Sequence, residues 1–141
     1  MYVKSATEAR KEWSQTCDSA VREKPGFIKR TRDLLVLSSA AMLSDLLEGY
    51  RYTADEFIED DGSVTLALNE MDLAENATTK EDALHLLGSS ILDYAEEYYN
   101  AYDVYSKAPN RRSHAPYILK ALLIADPIQI GKEIICQIGK S

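Results

Sequence analysis

The residues best suited to chemistry in this chain are cations and hydroxyls crowded near its start. Lys4, Ser5, Thr7, Arg10 and Lys11 lie close together, and Lys29, Arg30 and Arg32 follow after a gap. Ammonium and guanidinium groups hold phosphate oxygens, and an arginine fork also matches the two acceptors on the edge of a guanine. Ser5-Ala6-Thr7-Glu8 fits a capping box, in which the Ser5 hydroxyl accepts from the Glu8 amide and the Glu8 carboxylate reaches back. The segment therefore opens a helix, and the amides of Ser5, Ala6 and Thr7 at its start offer a further place for a phosphate. A solvated surface face is the competing reading, and it suits Lys11, Arg22 and Lys24 best.

A second group lies far along the chain. Tyr94, Tyr98, Tyr99, Tyr102 and Tyr105 recur at helical spacing, interleaved with Glu96, Glu97 and Asp103. Tyrosine anchors interfaces because it buries a large area at low entropic cost. The same run also suits a helix face packed on its own sheet. Arg111-Arg112-Ser113-His114 is a basic cluster in acidic surroundings, suited to a partner carboxylate, to RNA, or to nothing beyond a solvated loop. Catalytic signatures are missing. His85 and His114 are not paired at metal-ligand spacing, no Ser or Cys stands in a known triad order, and no glycine-rich phosphate loop occurs. Asp60-Asp61 and Glu96-Glu97 read as turn and helix surfaces. Cys17 and Cys136 form no CxxC pair, which argues against a cysteine zinc site or a disulfide scaffold and suits a reducing cytoplasm. The expectation is a protein that is not an enzyme and uses no metal or cofactor.

The 141 residues carry a net charge of −7. It is unevenly spread: residues 1–33 sum to +3 and the remainder to −10. Such a chain does not coat nucleic acid over its whole surface, so any nucleic-acid site is a local patch on the basic head. No apolar run reaches the ~18–20 residues of a membrane span, and Met1–Ser5 lacks the apolar core of a signal peptide. A cytoplasmic protein with no membrane partner is expected.

Hydrophobic periodicity gives an α+β chain of two modules. Residues 1–50 spell β-α-β-β-α. Tyr2–Lys4 is a short strand, and the helix after it carries an apolar stripe at Ala9, Trp13, Cys17 and Ala20/Val21, with Trp13 and Cys17 expected in the core. Lys24-Pro25-Gly26 ends that helix. Strands Phe27–Arg30 and Leu34–Leu37 flank Thr31-Arg32-Asp33, and Ser38 or Ser39 caps a helix that runs to about Gly49-Tyr50. Residues 51–56 read as a connector. In 57–141, strands at Phe57–Glu59 and Ser63–Asn69 flank Asp60-Asp61-Gly62, a hairpin signal, and a third strand falls at Leu73–Asn76. Thr78-x-x-Glu81 is a second capping box. The long helix it opens places Leu84, Leu87, Ile91, Tyr94/Ala95, Tyr98 and Tyr102 on one side. Ala108-Pro109-Asn110 breaks it, and two further helices follow, Tyr117–Ala125 and, after Asp126-Pro127, one reaching Cys136.

Val3-Lys4-Ser5-Ala6-Thr7-Glu8-Ala9-Arg10, then Phe27-Ile28-Lys29-Arg30 and Leu35-Val36-Leu37-Ser38, resembles the Phd/YefM antitoxins in order and spacing. Where that family often has Asn-Gly after the arginine strand, this chain has Thr31-Arg32-Asp33. The family's tail is usually short, whereas here a folded segment follows. Gly62–Tyr99, with Asp72-Leu73 and a Thr-x-x-Glu-Asp-Ala helix start, resembles more weakly a HicB-type domain, also of antitoxins. The resemblance implies a type II antitoxin that neutralises a cognate protein toxin and represses its own operon by binding operator DNA as a homodimer. It places Lys4, Ser5, Thr7, Arg10, Lys11, Lys29, Arg30 and Arg32 on the DNA. Dimerisation through the first module also has a physical motive, since about fifty residues bury little surface alone. For the second module, Tyr94, Glu97, Tyr98, Tyr102 and Tyr105 are the candidate toxin contacts. The alternative is a non-enzymatic scaffold that binds a ligand or a protein and uses a Phd-like head only to dimerise.

Overall fold

The computed structural model describes residues 1–139. The chain forms two compact units, Met1–Leu46 and a second from Leu47 onward.

In the first unit, strand β1 (Lys4–Ser5) leads into helices α1 (Ala6–Lys11) and α2 (Trp13–Arg22), the hairpin β2 (Gly26–Arg30) and β3 (Asp33–Leu37), and helix α3 (Ala40–Leu46). The strands lie in the order β1-β2-β3, with β1 parallel to β2 and β3 antiparallel to it. β1 is a residue or two later than expected, since only Lys4 and Ser5 find partners, Ile28 and Lys29. Ser5 caps α1 as its sequence requires, accepting from the Glu8 amide at 3.1 Å. The Glu8 carboxylate does not return the bond; it accepts from the Tyr2 hydroxyl at 2.6 Å. The helix expected to be continuous breaks at Glu12, whose φ of −111° and ψ of 35° leave the helical region.

The core of this unit is thin. Its buried residues include Ala9, Thr16 and Ala20, whereas Trp13 is 54% exposed. Cys17 is only half-buried. The apolar stripe was expected to place both inside, but that stripe assumes one continuous helix, and the break at Glu12 comes just before Trp13. Leu34, Leu35 and Val36 of β3 are exposed on both faces of that strand, and α3 buries no residue at all.

The second unit is built on a four-stranded sheet, β6-β5-β4-β7. Its strands are β4 (Thr53–Ile58), β5 (Val64–Leu68), β6 (Ala74–Ala77) and β7 (Ile135–Ile138). The helices are α4 (Lys80–Asn100), α5 (Tyr102–Tyr105), α6 (Ala115–Ile124) and α7 (Pro127–Glu133), with a 3-10 turn at Arg112–His114. The expected connector over 51–56 is therefore largely strand: Thr53–Glu56 pair with β7, and Ala54–Glu56 pair also with β5. The last helix also ends sooner than its apolar spacing suggests. Ile134 turns extended, and Ile135–Ile138 form a strand parallel to β4, as β-branched residues favour when a strand partner is at hand. The cap of α4 is Thr79, which accepts from the Asp82 amide at 3.1 Å, rather than Thr78.

Leu66, Leu87, Ile91, Ala95, Tyr98, Ile118 and Ile130 are fully buried together. Burial of such side chains is worth about 1.5–3 kcal/mol each. The opposite face of the sheet is polar and is tied across its strands: Asn69 donates to Thr53 Oγ1 (3.0 Å), Asn76 to Thr65 Oγ1 (2.9 Å) and Gln137 to Asp55 Oδ1 (2.7 Å).

Candidate functional site

The parallel register of β1 on β2 sets Ser5 beside Lys29. The first turns of α1 therefore stand next to the end of β2. Ser5, Ala6, Thr7, Arg10, Lys29, Arg30 and Thr31 line one open concavity of about 580 Å³. Arg10, Lys29 and Arg30 are exposed, and among the described residues none of them is held in an ion pair. Three uncommitted cations beside three small hydroxyl residues form a surface suited to an anionic backbone. α1 has only six residues, so the charge of the concavity comes from these side chains rather than from a helix dipole.

Three of the expected cations lie elsewhere. Lys4 turns inward, its Nζ 3.1 Å from the Glu12 carboxylate and 3.1 Å from Thr16 Oγ1. It borders a separate, more apolar cleft with Tyr2, Phe27 and Ile28. Lys11 and Arg32 are exposed but do not line the concavity. The hairpin tip explains Arg32: Arg30 pairs with Asp33, and the two-residue loop between them begins with Thr31 at a φ of +55°. Arg10 and Arg30 have a second neighbourhood. With Ala9, Trp13, Ile28 and Leu35 they border a largely apolar groove.

The tyrosine run is mostly interior. Tyr98 is fully buried; its hydroxyl donates to the Arg111 carbonyl at 3.0 Å. Its ring meets those of Tyr94, Tyr102 and Tyr105 edge-on at centroid distances of 6.0, 5.5 and 5.4 Å. Tyr98 therefore cannot anchor a partner, and Tyr102 and Tyr105 pack against the same core. The helix face that the spacing marks out is satisfied by its own chain.

Tyr94 and Glu97 do reach a surface. They line a cleft of about 410 Å³ with the β5–β6 loop (Asn69, Glu70, Asp72) and with Asn110, Arg111 and His114. The Tyr94 hydroxyl and His114 Nδ1 are 2.7 Å apart. Burial, and then the Arg111 guanidinium, hold the His114 pKa below the usual histidine value; burial pushes the Tyr94 phenol up. The loop residues of this cleft carry no sequence signal beyond the basic cluster at Arg111.

An antitoxin family described as PHD-like, antitoxin of toxin–antitoxin, RelE/RelB, TA system, matches residues 1–136, and the chain belongs to that family. It is also similar to a crystal structure from Syntrophomonas wolfei subsp. wolfei assigned as the antitoxin part of a toxin/antitoxin system. The two chains are 32% identical, with a TM-score of 0.92 over 99% of this chain and 100% of that one. Among curated proteins none matches significantly. Among the described residues no helix is long and apolar enough to cross a membrane.

Proposed function

We propose that this antitoxin neutralises a cognate protein toxin with its second unit and represses its own operon by binding operator DNA with its first. The observation that carries the DNA reading is the gathering of Ser5, Thr7, Arg10, Lys29 and Arg30 on one concavity with no carboxylate in an ion pair there. Cations from two separated segments converge on one surface, as a phosphate backbone requires. Arg10 and Arg30 carry the contact, Lys29 adds to it, and Lys4 has a structural role instead.

The DNA-binding form is a homodimer joined through the first unit. Trp13 and the β3 residues Leu34, Leu35 and Val36 expose more apolar surface than so small a unit leaves to water. β3 is also an edge strand with an unpaired side. A second copy covers both at once.

Neutralisation falls to the second unit on grounds of charge. Most of the acidic residues lie there, and an acidic surface steers a basic toxin toward it. The family's own description names the RelE/RelB pair. The resemblance of Gly62–Tyr99 to antitoxin domains of the HicB type supports the same assignment.

Footprinting on the DNA upstream of the gene tests the repressor half. Protection of a palindromic stretch is expected, and uniform weak binding along the fragment would count against it. Growth rescue on co-expression with the product of the neighbouring gene tests the toxin half.

A further inference from the structure

The basic cluster at Arg111 takes no part in the function proposed above. Its guanidinium lies over the Tyr105 ring, 4.3 Å from the centroid, with Tyr94 at 5.7 Å. Its backbone carbonyl is held by Tyr98. The arginine is thus fixed at both ends, yet Nη1 is shielded from solvent and has no hydrogen-bond partner. No ion pair among the described residues involves Arg111 either. A guanidinium offers five donors, and shielding those on Nη1 without an acceptor is costly.

The same cleft holds carboxylates that do not reach it. Both oxygens of Glu70 are taken by Thr53, through its amide and its hydroxyl. Asp72 and Glu97 are exposed and form no ion pair among the described residues. Glu97 is turned to the Tyr105 hydroxyl at 3.2 Å. Among the described residues, one cleft of about 410 Å³ is therefore lined by a half-buried guanidinium with no carboxylate paired to it, its Nη1 turned inward, and by two carboxylates with no cation paired to them. Its size falls in the range of small-molecule sites.

We propose that this cleft binds a small zwitterion of the amino-acid class, with its carboxylate on Arg111 and its ammonium at Asp72 and Glu97. The Tyr94 ring and the Asn110 amide, which line the same cleft, serve the body of the ligand. A phosphate or an RNA backbone fits less well, because the carboxylates beside Arg111 repel a polyanion. The proposal goes beyond the toxin reading and does not depend on it.

Isothermal titration of the full chain decides it. The probes are the individual free L-amino acids, with sodium acetate and methylammonium chloride as the two half-ligands. Saturable binding of one or a few amino acids is expected, with neither half-ligand matching it. Arg111→Gln should weaken that binding about tenfold or more, and so should Asp72→Asn combined with Glu97→Gln. The two acids are exposed, and glutamine at 97 keeps a side-chain oxygen to accept from the Tyr105 hydroxyl; thermal melting checks the fold of both variants. No saturable binding of any amino acid at about 10 mM would overturn the proposal. Acetate binding as tightly as the amino acids would also overturn it, as would an acid double variant that binds unchanged. Loss of toxin rescue with amino-acid binding intact would count against the toxin reading alone.

Discussion

Gly88 of α4 and Gly131 of α7 face each other backbone to backbone. A Cβ on Gly88 would collide with the Pro127 carbonyl oxygen and stand 2.9 Å from the Gly131 amide, while one on Gly131 would stand 2.8 Å from the Leu84 carbonyl. The atoms in the way are main chain, which cannot swing aside as a side chain can. This crossing seats α7 on the core, with Ile130 fully buried, and so delivers β7 to the edge of the sheet. Gly88→Ala should destabilise the second unit by about 1–3 kcal/mol or more. Urea unfolding followed by tyrosine fluorescence and far-UV dichroism reads the loss, and an unchanged midpoint would refute the close crossing.

How much of this was legible in the sequence follows from how local each signal is. The Ser5 cap, the Asp126-Pro127 helix start and the stripe Leu87–Ile91–Tyr98 are written in neighbouring residues. β4 and β7 are not: β7 becomes a strand through β4, which lies between it and β5, and Ala54 finds Cys136 across the length of the unit. An apolar run such as Ile134–Ile138 reads equally as helix or strand until that partner is known. The site shows the same limit. The family resemblance assigned Arg10, Lys29 and Arg30 to DNA although a gap in the chain separates them, and the β1–β2 register brings them together. It gave no sign that Lys4 turns to Glu12 and Thr16, because side-chain direction depends on the helix break at Glu12. Nor does a tyrosine stripe reveal whether its partner is another protein or the chain's own helix, and for Tyr98 it is the latter.

His114 makes stability depend on pH. Its folded pKa lies below the ordinary value, through burial first and Arg111 second, with Asp72 opposing weakly. As pH falls, the unfolded chain takes up this proton before the folded one does. The residue therefore has no effect on stability well above its ordinary pKa of about 6.5 and lowers stability as pH falls below it. Urea midpoints compared near neutrality and about one to two units lower should drop in the wild type, and His114→Gln should flatten that part of the slope. A slope that survives the substitution unchanged would assign it to other groups.

Thr31 is a β-branched residue at a φ of +55°, which costs about 1–2 kcal/mol relative to a residue at ease there. Thr31→Asn should raise the stability of the first unit by about 0.5–1 kcal/mol, since asparagine accepts this conformation. A lower melting temperature for the variant would show that the hairpin tip is not strained.

The dimer proposal makes a prediction about mass. Wild type should sediment as a dimer at tens of micromolar, and Leu35→Glu should shift it to monomer by placing a charge on the exposed apolar groove shared with Trp13. A wild-type monomer at that concentration would refute the proposed self-association.

Fluorescence anisotropy on the DNA upstream of the gene tests the central proposal most directly. Wild type should bind that fragment in preference to an unrelated one. Its log–log salt slope should gain about −0.9 for each phosphate bound. Arg10→Ala combined with Arg30→Ala should cost about 1–3 kcal/mol for each arginine that reads a base, relax the sequence preference and make the slope shallower. Lys11→Ala, outside the concavity, should matter much less. A double variant that binds the upstream fragment as tightly and as selectively as wild type would contradict the account.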